Sequence, residues 1–199
     1  MKVSNLLAML YPWWAGRDLN PRTSPLSDNR LLASLVETSI LHPGSKIEKV
    51  LRTLDAEPCG SDIVVPKRIR HLDFSTLVIV NKEVVSLTGE RHEHTEEDDK
   101  RLRSIVKEVR ATANDEQFEE AIVQKVSLLM HKLATGQHFH EGNKRTALVA
   151  GAAFLKVNGY TIGIRDAELV GLMDKAGISG ATLIEVREVI RRLVRRVPE

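Results

Sequence analysis

The chain has 199 residues, 42% of them apolar and 28% charged, and a net charge of +2. That length suits one ordinary core, or a domain of about 130 residues with an appendage. So small a charge, with aromatics at 4%, argues against nucleic acid as a partner.

A single cysteine, Cys59, excludes a disulfide framework within the chain and fits a reducing, cytoplasmic compartment. No run approaches the roughly 20 apolar residues of a membrane span. The opening "MKVSNLLAMLYPWWAG" only imitates a signal peptide: its apolar run is short, broken by Pro12 and without a small-x-small cleavage site.

Residues 1–27 lack any period and mix prolines, both tryptophans and turn formers, so they are expected to be an irregular leader. The string "RDLNP" back-translates to the complement of a transfer-RNA T-arm. Two readings therefore stay open for the leader: a native segment, or the artefact of a reading frame extended through such a gene or of an insertion scar. Residues 28–70 are expected to form a helical appendage, with Leu31, Leu35 and Ile40 before His42-Pro43-Gly44 and Ile47, Val50, Leu51 and Leu54 after it, followed by an irregular connector with room for one short strand at Ile63–Val65.

From 71 to 199 the pattern is that of consecutive helices, and the fold class expected is all-α. Phe74, Leu77, Val78, Asn81 and Val85 share one face, and Thr88-Gly89 ends that helix. Thr95 followed by Asp98 predicts a capping box, with Leu102, Ile105, Val106 and Val109 as the stripe behind it. Asn114 or Asp115 is expected to open a third helix through Phe118, Ile122, Val126, Leu129 and Leu133, closing at Gly136. After a short loop, "ALVAGAAFLKV" is apolar almost all round, which predicts a central, buried helix stopped by Asn158-Gly159. Asp166 and Ser179 are expected to open the last two helices. No strand pattern and no internal repeat stands out.

The chemistry concentrates in the loop before the buried helix, "GQHFHEGNKR". Free N–H groups and the helix dipole favour an anion at such a helix start. Gly142 lets the backbone approach phosphate oxygens, and Asn143 can cap the helix or bond a phosphate. Lys144 and Arg145 stand where acids are normally favoured, a misfit that an anion would relieve. Glu141 is a hard oxygen ligand of the kind Mg2+ takes when it rides on phosphates. Phe139 alternates with His138 and His140, so the phenyl ring should enter the core and both imidazoles should face outward. On these residues alone, a phosphate site and a plain capped helix remain alternatives. A zinc site from His131, His138, His140 and Glu141 is disfavoured, because that is no usual ligand spacing.

The stretch "HFHEGNKRTALVAGAAFLKVNG", with the helical pattern around it, resembles the Fic/Doc (Fido) family, and most of all its Doc (death-on-curing) toxins. The family signature H-x-F-x-[D/E]-G-N-[G/K]-R is met by Phe139, Glu141, Gly142, Asn143, Lys144 and Arg145. The resemblance implies a helical bundle built around the buried helix, Mg2+ held by Glu141, and ATP phosphates cradled by Gly142, Asn143, Lys144 and Arg145. Lys144 in place of glycine, and Leu148 where AMP-transferring members carry a second arginine, point to the Doc branch. That branch transfers a phosphoryl group to a hydroxyl of a translation elongation factor, and a small antitoxin restrains it. No self-inhibiting helix motif is found: the nearest string, Thr53–Pro58, fails at Pro58. The arginines of "EVIRRLVRR" would either dock an acidic antitoxin or form a solvated helix end.

One position departs from the signature. Gln137 stands where the family's catalytic histidine belongs, and a carboxamide is no general base near neutral pH. Three readings stay open: His138 takes the role through a shortened loop; His138 or His140 reaches the acceptor from another direction; or the base is lost. In the last case the chain is a weak Fido domain serving as a nucleotide-binding regulatory module. The segment "ERHEHTEEDD" matches the position of the family's target-clamping flap, or is a charged loop.

Overall fold

The computed structural model describes residue 49 and residues 68–87, 93, 95–112, 117–162, 167–178 and 180–197. The leader, nearly all of the appendage with Cys59, Thr53–Pro58 and Ile63–Val65, and most of "ERHEHT" lie outside the described residues. Among the described residues the elements are α1 (Phe74–Leu87), α2 (Glu96–Ala111), α3 (Phe118–Thr135), α4 (Asn143–Val157), β1 (Tyr160–Thr161), α5 (Ala167–Ile178), α6 (Leu183–Leu193) and β2 (Arg195–Arg196). The molecule is mostly helical, in keeping with an all-α class.

α4 is the axis of the bundle. Thr146, Ala147 and the run from Val149 to Leu155 are all buried, so it has no solvated face to spare. α1, α3 and α5 pack against it, and α2, α5 and α6 pack on α3. The α3–α4 crossing is close because Gly151 carries no side chain: a Cβ there would collide with Met130. Such tight, small-residue packing fixes one helix against another.

Helix starts follow cap chemistry. Asp73 Oδ1 accepts from the Thr76 N–H (2.8 Å) and hydroxyl (2.6 Å) at the start of α1. Thr95 and Asp98 form the expected reciprocal capping box on α2, and Leu102, Ile105, Val106 and Val109 are the buried stripe. Two expected starts are corrected. α3 begins at Phe118, with Gln117 as a cap that makes no side-chain bond. α6 begins at Leu183 rather than after Ser179, because Thr182 and Glu185 form a capping box there. Thr88-Gly89, Asn114, Asp115 and Asp166 lie outside the described residues.

The absence of strands is also corrected, on a small scale. β1 pairs antiparallel with β2, Tyr160 opposite Arg196 and Thr161 opposite Arg195. Two residues are too few for a period of two to declare itself in a sequence. The terminal arginines are partly engaged within the chain: Arg191 pairs with Glu120 (2.6 Å) and Glu188 (2.7 Å), and Arg192 with Glu168. At the other end, Asn158 clamps the incoming chain, accepting from the Arg70 N–H (2.9 Å) and donating to the Arg70 carbonyl (3.0 Å).

Lys125 is 1% exposed on α3. Its ammonium donates to the carbonyls of Val109 and Arg110 (3.0 Å each) and of Thr112, where α2 ends. A cation is favoured beside those carbonyls, which have no intrahelical partner. Burial lowers its pKa. Lys125→Met should therefore cost about 2 kcal/mol, since three carbonyls lose a buried donor; urea denaturation would measure it.

His71 lies against Phe154, ring centroids 6.1 Å apart, and its Nδ1 is buried without a partner. Burial first, then the charges of Lys125 and Arg110, push its pKa from 6.5 down to about 4. The folded state thus resists a proton that the unfolded chain takes below pH 6.5. The stability that His71 contributes should fall between pH 6.5 and about 4 and level off below that. The ring is only half buried, so we expect this residue to contribute about 2 kcal/mol of the loss after solvent screening. Urea denaturation at pH 7 and pH 4.5 should show His71→Phe losing less than the wild type.

Candidate phosphate site

The loop between α3 and α4 is built from both ends. Gly136 closes α3, its N–H donating to the Lys132 carbonyl (3.0 Å). Gly142 opens α4 in the left-handed region, φ 77° and ψ 13°. It is required twice over: a Cβ there would strain the backbone and approach Val85 Cγ1 to 2.8 Å and Asn81 Nδ2 to 3.2 Å. The first intrahelical bond runs from Thr146 N–H to Gly142 carbonyl (2.8 Å). The N–H groups of Asn143 and Lys144 therefore have no acceptor inside the helix, which is where an anion is favoured.

Of the two roles open to Asn143, capping falls to Gly142, and Asn143 is the first helical residue. Its side chain turns back and organises the loop. Oδ1 accepts from the N–H groups of His138 (3.2 Å) and Phe139 (3.0 Å), and Nδ2 donates to the Phe139 carbonyl (2.7 Å). Phe139 is buried, as alternation predicted. Asn81, on the apolar face of α1, also holds the site. It is 1% exposed, and its Nδ2 donates to the Glu141 carbonyl (2.8 Å) and the Thr146 hydroxyl (3.0 Å). A carboxamide on the apolar face of α1 was the available signal.

The imidazoles do not behave alike. His140 is exposed, as is Glu141. His138, expected to face outward, is folded back: its Nε2 lies 3.1 Å from the Lys132 carbonyl and its Nδ1 is buried without a partner. A carbonyl can only accept, so Nε2 carries the hydrogen. The ring occupies the space over Gly136, where any Cβ would collide with it. Burial holds its pKa below the usual value, with Arg101 adding to burial and the Lys132 carbonyl opposing it. Gln137 is exposed, and its carbonyl accepts from Arg101 (3.3 Å).

The cation misfit inferred from the sequence is partly resolved inside the protein: Lys144 Nζ lies 3.1 Å from Asp174 Oδ1 on α5. Among the described residues, no three His, Cys, Asp or Glu side chains stand together as a metal cluster. His131 instead meets the Ala181 carbonyl at 3.0 Å. Mg2+ borne on phosphates needs no such cluster, only one or two carboxylates beside phosphate oxygens and water, and exposed Glu141 fits that demand.

No described helix is long and apolar enough to cross a membrane. No curated protein and no solved structure matches the chain. The model of the Fic/DOC family matches residues 71–155, which run from just before α1 through the loop and nearly to the end of α4, and this match supports a Fic/Doc (Fido) domain in that part of the chain.

Proposed function

We propose that the chain is a Doc-like transferase that binds ATP with Mg2+ at Glu141–Arg145 and modifies a hydroxyl of a target protein. The observation that carries this reading is the left-handed Gly142 opening α4, with N–H groups, Lys144 and Arg145 in the first turn, inside the segment that matches the family. Glu141 would hold Mg2+, which supplies charge neutralisation on the phosphates when bound. Asn143 keeps the loop in shape, and the helix start stabilises charge on the phosphoryl oxygens.

Phosphoryl transfer is favoured over AMP transfer. Lys144 stands at the variable signature position, and Leu148, at the place of the second arginine, is packed against the core instead of serving phosphate. In the step, the target oxygen bonds to the terminal phosphorus, the bond to the β-phosphate oxygen breaks, ADP leaves and the hydroxyl proton passes to a base or to water. A translation elongation factor is the proposed target, and a small antitoxin the proposed restraint.

A second reading is favoured by one specific observation: Gln137 cannot take that proton, and His138 is engaged with Lys132. On this reading the site binds nucleotide as a regulatory module and transfers slowly. Single-turnover labelling with γ- or α-labelled ATP, in a translation-competent lysate, tests both. Label from the γ position is the expected result, and label from the α position would replace it with AMP transfer. Tight ATP binding with no label favours the regulatory module, and absence of ATP binding overturns both readings.

A further inference from the structure

A lysine in the first turn of a helix works against the helix dipole, and α5 is shaped around the one at 144. Asp174 supplies a carboxylate at 3.1 Å, with side-chain exposure of 39% for Lys144 and 23% for Asp174, so solvent screens the pair in part. One turn further along the same face, Gly177 leaves a path for the lysine stem. A Cβ there would stand 2.8 Å from Lys144 Cδ, 3.2 Å from Cγ and 3.4 Å from Cε. Glycine inside a helix is unfavourable, and Gly177 does not have the positive φ of Gly142, Gly159 and Gly180. Gly177 thus leaves room for the path the lysine stem now takes, which a Cβ there would displace. Both residues lie beyond the segment matched by the family model.

We propose that Asp174 is a positioning residue that holds Lys144 in reserve and thereby sets the affinity of the site for a nucleotide polyphosphate. This rests on the reading that Lys144 meets the phosphates. The sign follows from the two contacts together. A phosphate several ångströms away sees the pair as a dipole and gains only part of the lysine charge. Removing the carboxylate restores the full charge, while packing on Gly177 still keeps the stem in place. Asp174 is therefore a competitor for Lys144 more than a guide.

The test is calorimetric titration of the full chain with ATP and Mg2+, at low and high salt, for wild type, Asp174→Asn, Lys144→Ala and the double variant. Asp174→Asn should tighten binding about threefold to tenfold, less at high salt, and the gain should vanish when Lys144 is already alanine. Unchanged or weaker binding in Asp174→Asn overturns the proposal, and so does an equal gain in the Lys144→Ala background. Wild-type binding that Lys144→Ala leaves untouched would remove Lys144 from the phosphates and take the proposal with it. Binding that falls in Lys144→Ala but does not rise in Asp174→Asn sinks the proposal alone.

Discussion

Gly142→Ala should lose about 3 kcal/mol of folding stability and all measurable ATP binding. Two costs add: a non-glycine residue in the left-handed region costs about 1–3 kcal/mol, and a Cβ pressed into packed neighbours about 1–3 kcal/mol. The structure allows them to be separated. Gly159 has nearly the same φ, 80°, but a Cβ there meets nothing within 4 Å. Gly159→Ala therefore reports backbone strain alone, about 1 kcal/mol. The excess in Gly142→Ala reports the approach of the loop to Val85 and Asn81. A double-mutant cycle with Val85→Ala should show favourable coupling between the two sites, because the shortened side chain gives the new methyl room. Urea denaturation of the four variants is the measurement. Equal losses at 142 and 159 would mean that the packing against α1 is not what demands glycine. Loss of ATP binding has the same origin: the N–H groups of Asn143 and Lys144 point at one place only while Gly142 holds its conformation.

What could be read from the sequence was what local rules decide. The capping box of Thr95 and Asp98 and the stripe behind it are properties of four consecutive turns. The burial of α4 follows from a segment with no polar face to offer water. Where two local signals compete, the reciprocal one wins. Ser179 is a good cap by type, yet Thr182 with Glu185 three residues on makes two reciprocal bonds, and that pattern was present in the sequence to be seen. Gln117 starts α3 without any cap bond, so no residue type announced it. The site itself divides the same way. Gly142 and the signature around it are contiguous and therefore visible. The partners that give those residues their geometry come from elsewhere: Asn81 on α1, Arg101 on α2 and Asp174 on α5. His138 was expected outside because alternation assumes an extended loop. The Lys132 carbonyl and the bare Gly136 instead make an inward place for an imidazole, and neither is a periodic signal.

Gln137→His should raise the rate of phosphoryl transfer about 10²- to 10⁴-fold, the usual contribution of a positioned general base, while leaving ATP affinity within about twofold. The rate should change without the affinity because of how residue 137 is held. Its side chain is exposed, and the atom the protein grips is its carbonyl, through Arg101. The loop conformation depends on Asn143, Phe139 and Gly142, none of which the substitution touches. The new imidazole should titrate near its ordinary value of about 6.5. Transfer by the variant should therefore rise with pH through that range, an inflection that Gln137 cannot produce in the wild type. His140→Ala separates the remaining possibilities, since His140 is the exposed imidazole beside Glu141. If Gln137→His gains nothing and His140→Ala silences the wild type, the base has moved to position 140. If Gln137→His gains activity and His140→Ala changes little, the scaffold is intact around a missing base. His138→Ala tests the third candidate, whose ring meets the Lys132 carbonyl: loss of wild-type transfer there, with His140→Ala unchanged, would place the base at 138.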